Sequence, residues 1–135
     1  MRKQLKQLEE FHKSFGLYMN EQPTLRIPQA LHELRMRVRK DEVDEYAEEY
    51  TMTGDTEDER LQAVAKELAD IAYTLFGTVV SHGLQEEFER IFDAVHESNM
   101  SKLDENGKPI YREDGKILKS NRYHEPDLSF LQNRK

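Results

Sequence analysis

Two stretches decide how this chain folds: residues 31–45, LHELRMRVRKDEVDE, and residues 67–80, ELADIAYTLFGTVV. In the first, Leu31, Leu34 and Val38 recur at the three- and four-residue steps of an amphipathic helix, and the same steps run on into Glu42 and Glu45. At about 100° per residue these five positions share one narrow sector, so the core-facing stripe turns acidic halfway along the helix. In the second stretch Asp70 is the single charged residue between Leu68 and Val80, and Glu67 lies one turn before it on the same side. Each helix therefore presents an acidic pair at i, i+3, and the spacing predicts four convergent carboxylates.

Outward from these helices the punctuation is clear. Leu5, Leu8, His12 and Phe15 followed by Gly16 predict a first amphipathic helix. Asn20 to Pro28 reads as a connector, with Pro28 opening a second helix that runs to about Tyr50. After the turn Thr53-Gly54-Asp55, Thr56 and Glu59 have the form of a capping box, which starts a third helix ending at Ser81-His82-Gly83. Leu84, Phe88, Ile91, Phe92 and Val95 predict a fourth, reaching Ser98. Asn106-Gly107 and Asp114-Gly115 are turn dipeptides, and Ile110-Tyr111 and Ile117-Leu118 flank the second as a β-hairpin. The tail from Tyr123 to Lys135 reads as an extended arm packed on a neighbour or as a frayed end. The expectation is an all-α protein of four-helix-bundle type with a C-terminal β-hairpin and tail: one domain over 1–135, helical over 1–98, hairpin and tail over 99–135.

Composition narrows the function. The 135 residues carry 27 acidic against 20 basic side chains, a net charge of -7, which argues against a nucleic-acid polymer as partner. Without cysteine there is no disulfide framework, thiolate metal site or cysteine nucleophile. The opening MRKQLKQLEE lacks the apolar run of a signal peptide and no stretch matches a membrane span, so a cytoplasmic protein without membrane partners is expected.

Four convergent carboxylates repel one another and lose hydration, so a cation must sit among them. Oxygen ligands without histidine or cysteine suit Mg²⁺, or Mn²⁺ in its place, and such ions complete their shells with phosphate oxygens. A phosphorylated substrate follows. Against this stands the reading of DEVDEYAEE as a solvated acidic run, and of Asp70 as a buried aspartate capped by a local amide or an arginine such as Arg35. A di-iron bundle would need two Glu-x-x-His motifs, and only Glu9-x-x-His12 fits, with Asp93-x-x-His96 a near match. Lys102, Lys108, Arg112, Lys116, Lys119 and Arg122 gather cationic charge around the hairpin, where Lys108 and Lys116 read best as protection of strand edges.

These residues resemble a known family. Glu42-x-x-Glu45 followed by Glu67-x-x-Asp70 is similar to the signature of the MazG-like and phosphoribosyl-ATP pyrophosphohydrolase-like all-α nucleoside-triphosphate pyrophosphatases. Phe11 to Gly16 (FHKSFG), Arg35, Ala72 to Gly77 (AYTLFG) and Val95 to Ser120 (VHESNMSKLDENGKPIYREDGKILKS) extend the likeness to the branch that includes members preferring dUTP. The resemblance implies an enzyme that hydrolyses a (deoxy)nucleoside triphosphate to monophosphate and pyrophosphate. It implies that Glu42, Glu45, Glu67 and Asp70 ligate Mg²⁺, that Asn99, Lys102, Lys119 and Tyr123 approach the nucleotide, and that Phe15 and His12 border the base or sugar. Glu45 and Asp41 are the candidates for accepting the proton of the attacking water. Asp41 departs from the glutamate common in relatives, and His124-Glu125-Pro126-Asp127 lacks an expected second proline. The family also implies a homo-oligomer, at least a dimer. The competing reading is a non-enzymatic helical module that binds nucleotide or a partner protein without turnover.

Overall fold

The structure, a computed structural model, describes residues 1–132. The described residues form four α-helices and one two-stranded antiparallel hairpin: α1 (Arg2–Ser14), α2 (Gln29–Thr51), α3 (Glu57–Ser81), α4 (Phe88–Met100), β1 (Ile110–Tyr111) and β2 (Ile117–Leu118), followed by a 3₁₀ turn at Ser129–Leu131. It divides into two compact units, Met1–Glu86 and one beginning at Glu87.

In the first unit α3 is the central element, with α1 and α2 packed on it. It starts at the capping box expected from the sequence: Thr56 Oγ1 accepts from the Glu59 amide, and the Glu59 carboxylate accepts from the Thr56 amide at 3.0 Å. Its last carbonyls, which lack helical partners, are met by the connector. Asn20 donates through its amide to Val80 and through Nδ2 to Ser81, and the Thr24 amide donates to His82 at 2.8 Å. The closeness of this strap explains Gly83: at φ 68 it turns the chain left-handedly, and a Cβ there would lie 2.1 Å from the Gln22 carbonyl oxygen.

The fully apolar core is small. Only Leu5 and Leu8 of α1 and Val79 and Val80 of α3 are buried hydrophobics among the described residues, and α2 contributes no buried residue at all. Leu34 on α2, and Leu61, Leu68 and Leu75 on α3, are exposed despite their helical register.

In the second unit the hairpin pairs Ile110 with Leu118 and Tyr111 with Ile117. The fourth helix starts at Phe88, not at Leu84, and the Leu84 amide donates to the Val79 carbonyl in closing α3. Up to Gln132 the tail is tied to its own unit, and its remainder, 133–135, lies outside the described residues. Buried Ser98 donates to the His124 carbonyl at 2.8 Å, Ser120 Oγ donates to the Leu103 carbonyl at 2.7 Å, and Arg90 stacks over the Phe130 ring.

Thr56→Ala removes the α3 cap and should cost about 1 kcal/mol, a drop of roughly 4 °C in melting temperature. The box holds the Glu59 carboxyl below its ordinary 4.5, so its contribution is complete above that pH and is lost as pH falls through the lowered value. The gap between variant and wild type should therefore narrow in acid, as thermal melts across the range would show.

Candidate metal centre

α2 and α3 run antiparallel, with Arg60 of α3 paired to Glu49 near the end of α2, and Arg35, near the start of α2, bonded to Thr74 and Thr78. Between these ties the facing positions are acidic. Glu42, Glu67 and Asp70 each place a carboxylate oxygen within 4.8 Å of the others. Glu67 is buried, while Glu42 and Asp70 are half-buried. Burial pushes the Glu42 carboxyl above its ordinary value, helped by a hydrogen bond to and repulsion from Glu45, and by repulsion from Asp70 and Glu67. Glu45 thus meets Glu42 from one turn further along α2, where it is exposed.

Cationic charge reaches this group from one side. Lys66 Nζ lies 2.8 Å from Asp70 Oδ2 and 3.1 Å from Glu67 Oε1, and these carboxylates hold its ammonium well above the usual lysine value. On the other side Glu42 Oε2 and Glu67 Oε2 are buried without a hydrogen-bond partner. A buried carboxylate oxygen without a donor is costly, and a divalent cation bridging the two helices would satisfy both. The donors are oxygen alone, as Mg²⁺ and Mn²⁺ prefer. No histidine belongs to the group among the described residues, so the arrangement gives the di-iron reading nothing. His12 is 2% exposed, donates through Nδ1 to the Tyr18 carbonyl at 2.9 Å, and is kept below its ordinary value chiefly by burial.

Other sequence-selected residues fall elsewhere. Asp41 is exposed on α2, close to Lys40. Phe15 is exposed and packs on Phe11 with ring centroids 4.6 Å apart, beside a cleft of about 350 Å³ that Tyr73 also lines. In the second unit the four candidates form two local pairs. Lys102 Nζ donates to Asn99 Oδ1 at 2.9 Å, and Lys119 Nζ sits 4.4 Å from the Tyr123 ring centroid.

The competing reading of Asp70 as a carboxylate paired to Arg35 is not what the structure shows. Arg35 donates to the Thr74 carbonyl and to Thr78 Oγ1, and Lys66 takes the place beside Asp70. Lys66 was legible, since it stands at i, i+4 to Asp70, but a lysine in so charged a segment carries little signal on its own.

A family model described as phosphoribosyl-ATP pyrophosphohydrolase matches residues 8–99. The match spans more than half of the chain and takes in Glu42, Glu45, Glu67, Asp70 and Asn99, whereas Lys102, Lys119 and Tyr123 fall beyond it. Comparison with curated proteins finds no match.

Because Glu42 sits above its ordinary 4.5, its ionised form opposes folding, and metal-free stability should fall as pH rises from that value toward neutrality. Glu42→Gln should flatten this slope and raise the metal-free melting temperature at neutral pH. Addition of Mn²⁺ should stabilise wild type but not Glu67→Gln, and calorimetry with and without chelator reads both effects.

Proposed function

The chain belongs to the phosphoribosyl-ATP pyrophosphohydrolase family, and on that premise we propose that it hydrolyses a (deoxy)nucleoside triphosphate, dUTP among the candidates, to the monophosphate and pyrophosphate. The observation that carries this reading is the acidic trio with its orphaned oxygens, Glu42 Oε2 and Glu67 Oε2, on facing helices. Glu42, Glu67 and Asp70, joined by Glu45, are the proposed ligands of Mg²⁺, with Mn²⁺ as substitute. Bound there, the ion supplies neutralisation of phosphate charge and a lowered pKa for water.

The chain's own groups do the rest. Water attacks the α-phosphorus, the bond to the bridging oxygen breaks, and pyrophosphate leaves. Glu45 is solvent-accessible and adjoins Glu42, which suits it to take the proton of the attacking water, and Asp41 is the second candidate. Asn99, Lys102, Lys119 and Tyr123 are proposed as nucleotide contacts. Phe15, beside its aromatic cleft, is proposed to border the base, with His12 buried on α1, which ends just before Phe15.

Self-association belongs to the same reading. A chain of 135 residues with four buried hydrophobics among the described residues, and with Leu34, Met36, Val43 and Tyr50 exposed along one helix, gains a core by pairing with a copy of itself. We therefore propose at least a homodimer. A cytoplasmic location is part of the proposal too, and no helix among the described residues is long and apolar enough to cross a membrane.

A panel of canonical and deoxynucleoside triphosphates, dUTP included, assayed for pyrophosphate release with Mg²⁺ or Mn²⁺, tests the reaction. Wild type should turn over at least one of them, and Glu45→Gln should lose about a hundredfold or more in rate. Silence across the panel with both metals would favour the binding module without turnover. Sedimentation velocity should give at least twice the chain mass, and a monomer at micromolar concentration would remove the homodimer.

A further inference from the structure

One turn beyond the acidic trio the α2–α3 seam changes sign. Arg35 and Arg39 stand at i, i+4 on α2, on the same helical stripe as Glu42, and both guanidinium groups converge on Thr78. Arg35 Nε donates to Thr78 Oγ1 at 3.2 Å and its Nη2 to the Thr74 carbonyl, while Arg39 Nη2 donates to Thr78 Oγ1 at 2.8 Å. Thr74 and Thr78 continue the α3 stripe of Glu67 and Asp70, and Thr74 follows Asp70 by one turn, about 6 Å of rise.

Two arginines so close should carry an anion between them, since like charges at i, i+4 repel and half-burial raises the cost. None is supplied by the described residues. Although α2 is rich in acids, neither arginine makes an ion pair among the described residues, and both lean on neutral threonine oxygens. Burial and the neighbouring Arg39 depress the Arg35 guanidinium, with no carboxylate to offset them. Arg39 Nε is buried without a partner, and Nη1 of each arginine makes no hydrogen bond to the described residues. The helix opposite is cut away to admit Arg35: a Cβ on Gly77 would lie 2.2 Å from Arg35 Nη2. Arginines placed for structure alone are usually matched with carboxylates, and unmatched guanidinium forks are what bidentate phosphate recognition uses.

We propose that Arg35 and Arg39 form an oxyanion subsite for a phosphate group, adjoining the acidic trio on the α2–α3 seam, with Thr78 orienting both guanidinium groups. The inference rests on the nucleotide reading above and deepens it. Metal ligands on one turn and arginines on the next would grip successive phosphates of one polyphosphate chain, and the arginines would hold the pyrophosphate portion as it departs.

Binding of inorganic pyrophosphate in the presence of Mg²⁺, measured by calorimetric titration, tests the subsite separately from turnover. Arg39→Met should weaken pyrophosphate at least tenfold while leaving Mn²⁺ affinity within about twofold of wild type, and Arg39→Lys should recover part of the loss. Thr78→Val, which keeps both charges, should give a smaller loss in the same direction. Pyrophosphate affinity unchanged in Arg39→Met would overturn the subsite and leave the arginines as ties between helices. The subsite is equally overturned if Arg39→Met and Arg39→Lys lose Mn²⁺ and pyrophosphate together, or if wild type binds no pyrophosphate. Arginine-dependent pyrophosphate binding in a protein that hydrolyses no triphosphate would sustain the subsite and reject the hydrolase reading. Turnover with pyrophosphate affinity indifferent to Arg39 would do the reverse.

Discussion

Glu42, Glu67 and Asp70 bring oxygens within 4.8 Å of one another at a place partly closed to water, and that proximity is sustainable only with positive charge close by. Much of the first unit can be understood from this. Lys66 supplies one cation from the solvent side and leaves Glu42 Oε2 and Glu67 Oε2 without partners. The conflict raises the Glu42 carboxyl above its ordinary value and leaves the site ready for a divalent ion. An arrangement like this opposes folding of the metal-free chain, so stability has to come from elsewhere.

It comes in part from polar ties. The capping box fixes the start of α3, the connector over residues 20–24 satisfies its terminal carbonyls, and Arg60 with Glu49 and Arg35 with Thr74 and Thr78 bracket the α2–α3 seam. These contacts define position more than they add hydrophobic free energy. The buried apolar side chains, Leu5, Leu8, Val79 and Val80, belong to α1 and the end of α3. The acidic segment of α2 is thereby held by its two ends, and its outer apolar residues are left for the self-association proposed above.

The seam also reads as a gradient. From the Glu49–Arg60 end it passes through carboxylates to a pair of arginines without acidic partners among the described residues, and buried His12 lies close enough to Arg35 to feel its charge. A polyphosphate with bound cations has the complementary pattern, alternating between charge that needs a metal and charge that needs a guanidinium. Pyrophosphohydrolase chemistry in this family and the proposed arginine subsite are thus two uses of one antiparallel pairing of helices.

Periodicity alone determined that α2 and α3 exist, that each carries an acidic pair, and that a hairpin spans Ile110 to Leu118, because local hydrogen bonding and turn chemistry fix these over a few residues. The capping box at Thr56 and Glu59 and the end of α3 were legible for the same reason. The register of α2 against α3 was not, since it depends on contacts between side chains 11 to 43 positions apart, and only the packed helices decided that Arg35 serves Thr74 and Thr78. Nor could the sequence foresee that Leu34 of the α2 stripe stays exposed while Leu31 and Val38 are half-buried: a hydrophobic face shows that a helix has something to cover, and tertiary structure decides which neighbour covers it.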